Sequence, residues 1–126
     1  MSAQRPTGEA FLHLARLVLD ADADPSAPGG AVTLALCGAW EHPPPGTWPH
    51  HTEAIQRPED AGCLDLRTIF VADPAEEWVV RQQISEALAR GQVSRPDGSL
   101  SSWHLQGSGP GSLQDAESAR AARLAR

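Results

Sequence analysis

The sequence predicts a small α+β (or small α/β) domain, with one mixed sheet of about three strands packed against two or three helices. The 126 residues are enough for a single domain with one modest core. Short apolar runs rich in Val, Ile, Leu and Phe alternate with amphipathic stretches. Proline, glycine and aspartate separate these segments, as they do where elements begin and end.

The first predicted element is a helix from Glu9 to Asp20. Its apolar residues recur at helical spacing, at Phe11, Leu14, Ala15, Val18 and Leu19. An acidic stretch, DADADPSAPGG, follows at 20–30. Its alternating aspartates resemble the start of a calcium loop, but Pro25 and Ala31 stand where that loop needs glycine and glutamate. We therefore interpret it as a solvated linker.

Two predicted strands follow, and the connection between them is long. The first strand is Ala31–Cys37 and the second is Leu66–Ala72, since both are short apolar runs without proline. The segment 38–65 between them has mostly loop composition. It exceeds the about 12–15 residues at which an irregular connection becomes unusual in a compact domain. Loops of that length are often functional, so this segment is the first place to look for a site.

A helix is predicted from Pro74 to Arg90. Asp73 suits the N-cap, Pro74 suits the first turn, and Glu76 completes a variant capping box. Gly91 then provides a residue that tolerates the left-handed conformation at a helix end. The unit is a strand, a tight turn and a helix.

A third strand and a last helix complete the prediction. A turn at Arg95–Gly98 precedes the strand Ser101–Gln106. If this strand lies parallel to Leu66–Ala72, the helix between them is a right-handed crossover; the alternative is an antiparallel edge strand. The terminal helix at 112–126 would be capped by Ser112, with Asp115 three residues later. Its apolar face is small, which is typical of a terminal helix that frays or docks on another surface.

Composition excludes several classes of function. A net charge of −6 argues against a nucleic-acid partner, which would require a basic surface. All ten basic residues are arginine, so no lysine Schiff base is available. No apolar run approaches the about 20 residues of a membrane span. The start of the chain lacks an export signal and there are two cysteines, which favours a cytoplasmic protein with reduced thiols. Exposed apolar residues around a thin core favour a homo-oligomer.

The segment CGAWEHPPPGTWPHHTEA, at 37–54, carries the best candidate site. Three prolines at 43–45 favour a stiff polyproline II segment. In the simplest interpretation it is only a rigid loop, whose histidines are solvated. In our preferred hypothesis the chain is a non-catalytic binding module, with tryptophans as anchors for a protein or small-molecule partner. The proposed binding residues are Trp40, Glu41, His42, Trp48, His50 and His51.

The alternative hypothesis is a transition-metal protein or small metalloenzyme. Thiolate and imidazole are ligands that zinc or iron accepts. The candidate ligands are Cys37, His42, His50 and His51. Their spacing lacks the C-x-x-C or H-x-x-x-H pairs that make a zinc site specific. No residue is assigned a catalytic role, because Cys37 and His42 lack the signature of a cysteine hydrolase. His13 is interpreted as a boundary residue of the first helix.

Overall fold

The computed structural model describes residues 8–37, 48–57, 60–94 and 98–125, which form five strands and three helices. The elements in chain order are β1 (Glu9–Leu19), α1 (Ala27–Cys37), β2 (His50–Arg57), β3 (Asp60–Ala72), α2 (Glu77–Ala89, preceded by a 3-10 turn at Pro74–Glu76), β4 (Gln92–Ser94), β5 (Leu100–Gly111) and α3 (Asp115–Leu124). Within these ranges no helix is long and apolar enough to cross a membrane.

The strands form one sheet in the order β2-β3-β1-β5-β4, and every neighbouring pair is antiparallel. β3 lies between β1 and β2 and is antiparallel to both. The helix α1 therefore connects β1 and β2, which are parallel to each other but not neighbours. β1 likewise lies between β3 and β5, which are joined through α2 and the short strand β4. The domain is thus built from two interlocked split β-α-β units. The predicted second and third strands, in β3 and β5, are therefore parallel, but they are not neighbours and β4 intervenes between α2 and β5.

The two faces of the sheet carry separate apolar clusters. Side chains alternate along a strand, so Ala15, Leu17 and Leu19 of β1 face α1 and α2, whereas Leu12 faces the opposite side. The main cluster lies under α1 and α2 and includes Phe70 and Trp103. The smaller cluster joins Leu12 and Ile69 to Ala121 of α3. Most of the core therefore lies on the α1 and α2 face.

The first two predicted elements were wrong in type. The segment predicted as the helix Glu9–Asp20 is strand β1, and the predicted strand Ala31–Cys37 belongs to helix α1. β1 is covered on both faces, so its sequence is almost continuously apolar and shows no alternation. A short apolar run such as AVTLALC fits a buried helix as well as a strand. The Ser26 carbonyl accepts from the Gly30 N–H at 3.1 Å, which marks the helix start that the sequence prediction overlooked.

The segment 38–65 is a loop only in part, since β2 and the beginning of β3 lie within it. β2 pairs antiparallel with β3, with Arg57 opposite Asp60 and an irregular register between Gln56 and Arg57. Within the described residues the sheet has five strands rather than about three. The other predicted strands are longer than expected, because Leu66–Ala72 belongs to β3 and Ser101–Gln106 belongs to β5. The predicted turn at 95–98 lies outside the described residues except for Gly98.

The predicted start and end of the α2 region are confirmed. The Asp73 carboxylate accepts from the Ala75 N–H at 2.9 Å, and Pro74 occupies the first turn. The helix ends before Gly91, whose φ of 72° is left-handed. A Cβ at Gly91 would lie 2.8 Å from the Trp103 carbonyl oxygen, so a side chain is excluded here on steric grounds as well.

α3 packs on the sheet through a carboxylate with three bonds. Glu117 accepts two bonds from Arg67 of β3, at 2.7 and 2.8 Å, and one from the Gln114 N–H. The last bond completes a capping box, so the N-cap is Gln114 and the predicted cap at Ser112 is wrong. The two guanidinium bonds lower the pKa of Glu117, although burial opposes this. Paired and largely buried, Glu117 fixes α3 to β3.

Replacing Glu117 with glutamine is expected to release α3. Removing one partner of a largely buried ion pair leaves Arg67 poorly compensated, and we expect a loss of about 2–3 kcal/mol in the free energy of unfolding. Amide hydrogen exchange in α3 should accelerate more than in α2. The matched control is Glu86→Gln on exposed α2 surface, which should change neither quantity. Unchanged exchange in α3 for Glu117→Gln would contradict this account of the helix.

Candidate functional site

The structure describes three of the sequence-predicted binding residues, namely Trp48, His50 and His51. Trp40, Glu41 and His42 lie outside the described residues. Cys37 ends α1, but its thiol is likewise outside what the structure describes. The described part of the segment is therefore its second half, where the chain enters β2.

Trp48 and His50 connect this entry to the body of the domain. Trp48 is partly buried against the main apolar cluster. His50 lies 3.2 Å through Nδ1 from the Trp48 carbonyl oxygen and 3.3 Å through Nε2 from Thr33 Oγ1. Since Thr33 belongs to α1, the imidazole bridges α1 and the start of β2. This end of the predicted loop is held by the fold.

His51 points to the opposite side of the sheet, because neighbouring residues of a strand alternate in direction. Its pKa is lowered, first by partial burial and then by the positive charge of Arg120 on α3. A single metal ion bound here would therefore draw on only one of His50 and His51. Within the described ranges, no three His, Cys, Asp or Glu side chains are grouped to hold an ion. The zinc or iron hypothesis stays a prediction.

A second cluster lies on the α1 and α2 face, where β1 and β2 begin and β3 ends. The register places Phe11 opposite Phe70, and Phe70 opposite His50, in one row across three strands. His13 lies opposite Thr68 in the next row. α2 begins at this end of the sheet, since it follows β3 directly. Aromatic and polar side chains from β1, β3 and α2 therefore meet here.

Arg81 of α2 is the centre of this cluster and is almost fully buried. Its Nη1 donates to the Leu12 carbonyl oxygen at 2.9 Å, and its Nε donates to the Glu77 carboxylate at 2.8 Å. The guanidinium carbon lies 5.2 Å from the ring centre of Phe70 and 5.9 Å from that of Phe11. These contacts are within cation–π range and hold the side chain in one orientation.

His13 is the second buried polar group of the cluster. Arg81 Nη1 lies 3.0 Å from its Nδ1, and Ser108 Oγ of β5 lies 2.6 Å from its Nε2. Ser85 of α2 lies 2.8 Å from Ser108, Oγ to Oγ. Burial, followed by the positive charge of Arg81, lowers the pKa of His13 to about 4. The imidazole is therefore neutral at pH 7 and bridges β1, β5 and α2.

The hydrogen-bond partners of His13 do not suit it to activate a serine nucleophile. Arginine can only donate, so the bond from Arg81 requires Nδ1 of His13 to be the acceptor. In a neutral imidazole the other nitrogen, Nε2, then carries the proton and donates to Ser108. A general base must instead accept the serine proton at that nitrogen. The exposed Ser108 is thus held by His13 but is not activated by it.

Trp78 covers the outer side of the same arginine. Its ring centre lies 5.8 Å from the Arg81 guanidinium carbon, and the side chain is 65% exposed. The next residue, Val79, is also exposed, at 48%. Two consecutive residues at the start of α2 therefore expose apolar side chains.

Sequence reasoning missed this cluster for two reasons. Because β1 was predicted as a helix, His13 was assigned to a helix boundary rather than to a sheet face in contact with α2. Arg81 is separated from His13 by 68 residues, and only the fold brings them together. The available signal was a charged residue on the apolar stripe of α2, beside Val80 and Ile84. An arginine at such a position requires a partner in the core.

Comparison with protein-family models, with curated proteins and with solved structures gave no match to this chain.

Proposed function

We propose that this protein is a non-catalytic binding module, and that its recognition surface is the end of the domain where α2 begins. The surface comprises Trp78 and Val79 of α2 together with the Trp- and His-rich segment that ends at β2. The observation that carries the proposal is Trp78, a tryptophan that is 65% exposed yet held in contact with a buried arginine.

An exposed tryptophan can contribute strongly to association. Burying such a side chain at the centre of an interface typically contributes about 2 kcal/mol or more. Trp78 contacts Arg81, which is in turn fixed by Glu77 and by the Leu12 carbonyl group. A side chain whose orientation is set before binding loses less conformational entropy when a partner covers it. The arrangement therefore favours recognition.

Two exposed carboxylates at the end of the sheet where α2 begins indicate the chemistry of the partner. Glu76 is exposed in the turn before α2, and Glu9 is exposed at the start of β1, opposite Ala72 at the end of β3. Carboxylates at the same end of the domain as an exposed tryptophan favour a partner with a hydrophobic pocket and basic residues at its edge. Association of this kind weakens as salt rises. We propose a protein partner with these properties.

The sequence-predicted segment belongs to the same proposal. Trp48 is packed on the core and His50 is bonded to α1, so the described end of the segment is anchored. In this role Trp48 positions the segment, whereas Trp40, Glu41 and His42 remain proposed contacts.

Trp78→Ala is expected to abolish capture of the partner. The chain would be immobilised with no tag on the proposed surface and incubated with a native lysate. The bound proteins would then be quantified by mass spectrometry. The control is Leu100→Ala, which removes another exposed apolar side chain, 58% accessible, from β5. We expect a set of proteins that the unaltered chain and the Leu100 variant enrich equally and that Trp78→Ala loses. Identical recovery by all three proteins would refute the proposal.

The metal hypothesis predicts that only one of His50 and His51 binds the ion. If the segment binds zinc or iron, elemental analysis should show loss of the metal in one of the variants His50→Ala and His51→Ala and retention in the other, because the two side chains point to opposite faces.

A further inference from the structure

β2 is the long edge of the sheet. It pairs with β3 on one side, and the opposite edge of the sheet is β4, which has three residues against the eight of β2. An edge strand presents backbone N–H and C=O groups that can pair with another strand. β2 contains neither lysine nor proline, which commonly protect such edges. Of the two edges, β2 is the one that offers a strand-length template.

The hydrogen-bond pattern shows which backbone groups of β2 point away from β3. The Pro49 carbonyl oxygen accepts from the Val71 N–H at 3.0 Å, so these residues form a hydrogen-bonded pair. Hydrogen-bonded pairs alternate along an antiparallel ladder. The backbone groups of the even-numbered residues, from His50 to Gln56, therefore point outward.

The second half of β2 is the accessible half. α1 approaches the first half, where Thr33 contacts His50 and Gly29 faces Thr52. The residues at 53–56 are all exposed, and among them Ile55 is an apolar side chain with 43% exposure. An exposed apolar residue at a strand edge favours burial against another strand.

We propose that two copies of this chain pair through this edge, β2 against β2 in antiparallel orientation, with the two-fold axis at Ile55. In this register Ile55 faces Ile55 of the partner subunit. Glu53 faces the partner's Arg57, and the symmetric pair repeats this contact. Arg57 donates to Asp65 of its own chain through Nε and Nη2, at 3.3 and 3.1 Å, so it would bind Glu53 of the partner subunit through its remaining N–H groups. The outward backbone groups of Ala54 then pair with those of Gln56 of the partner subunit. The same register thus pairs the outward backbone groups, buries Ile55 and brings opposite charges together.

Neighbouring registers satisfy fewer of these groups. An axis at Glu53 would place two glutamates directly opposite each other, which is destabilising. An axis at Ala54 would place Glu53 opposite an isoleucine and would form no pair of opposite charges. Cross-strand pairs of opposite charge contribute about 0.2–1 kcal/mol each, and an axis at Ile55 provides two of them. The charge pattern therefore favours the register whose two-fold axis lies at Ile55.

α1 leaves room for this pairing on its face of the sheet. α1 covers β2 near Thr52, and in the proposed register the Thr52 residues of the two copies are six positions apart along the strands, or about 20 Å. A helix with its side chains is about 10 Å wide. The two α1 helices therefore lie on either side of the axis. Pairing over a few residues buries less surface than a standard interface, so we expect a weak dimer with a Kd of about micromolar or higher.

Disulfide trapping tests the register. Single variants Glu53→Cys, Ala54→Cys and Ile55→Cys would be incubated in a glutathione redox buffer, with the unaltered chain, which carries Cys37 and Cys63, as background. Opposed residues at the axis have Cα atoms about 4.5–5.5 Å apart, within disulfide reach. We expect the linked dimer of Ile55→Cys to exceed that of the other two by at least about fivefold, because position 53 lies about 13 Å from its copy. Greater linkage at position 53 or 54 would overturn the proposal.

Sedimentation velocity tests the dimer itself. The unaltered chain should show a concentration-dependent dimer. Ala54→Pro removes an outward N–H and no bond to β3, so this variant should be monomeric while its circular dichroism is unchanged. A chain that stays monomeric at millimolar concentration would overturn the proposal, as would a dimer that survives Ala54→Pro.

Discussion

Replacing Arg81 with alanine is expected to destabilise the domain by about 3–5 kcal/mol, a large fraction of the stability of a small domain. The substitution removes the donor to the Leu12 carbonyl group and to Nδ1 of His13, and it leaves the Glu77 carboxylate without its partner. It also empties the space over the rings of Phe11 and Phe70, which contact each other. Urea denaturation followed by far-ultraviolet circular dichroism measures the loss.

Two further variants show whether the effect comes from the buried contacts. Arg81→Lys keeps the charge but not the planar fork, so it should cost less than alanine while remaining clearly destabilising. Arg90→Ala removes an exposed arginine after α2 and should change stability by less than about 0.5 kcal/mol. If Arg81→Ala and Arg90→Ala cost the same, Arg81 does not organise the cluster.

Stability should fall between pH 6.5 and pH 4 because of His13. Its pKa is lowered from 6.5 to about 4 in the folded protein, so in this range the unfolded chain binds a proton that the folded protein excludes. The stabilisation is complete above pH 6.5 and is lost as the pH falls to 4. A difference of about 2.5 pKa units corresponds to about 3 kcal/mol. Urea denaturation at half-unit pH steps measures this.

His13→Gln is the matched control for this prediction. Glutamine accepts and donates as the neutral imidazole does but does not titrate. Its stability should therefore change much less between pH 6.5 and pH 4. The pKa values of Asp65 and Glu117 are also lowered, but both carboxylates are present in the two proteins and their contribution cancels in the comparison. Parallel pH profiles would show that His13 is not a buried neutral group.

Segments with strong local chemistry were predictable from the sequence. The start of the α2 region is determined by Asp73 and Pro74 and its end by Gly91, so local reasoning placed both ends. β3 was predicted because Ile69, Phe70 and Val71 strongly favour strands. The α+β class followed from these two elements even where their neighbours were mistaken.

The remaining errors have a common physical cause. One face of β1 packs against α1 and α2, and its other face lies towards α3. A strand buried on both sides loses the alternation that identifies strands. α1 has an almost uniformly apolar sequence, so the usual contrast between its faces is absent. Predicting the cluster around Arg81 requires these elements to be assigned correctly, because His13 lies on a sheet face only if β1 is a strand. Sequence reasoning emphasised the histidine-rich segment and overlooked Trp78.

The central claim is that the surface around Trp78 recognises a protein partner, and site-specific photo-crosslinking tests it most directly. p-Benzoylphenylalanine would replace Trp78 in one preparation and Leu100, a residue of similar exposure on β5, in another. After illumination in native lysate, we expect discrete adducts from position 78 that are absent from position 100. Identical adducts from the two positions, or no adducts from either, would contradict the claim.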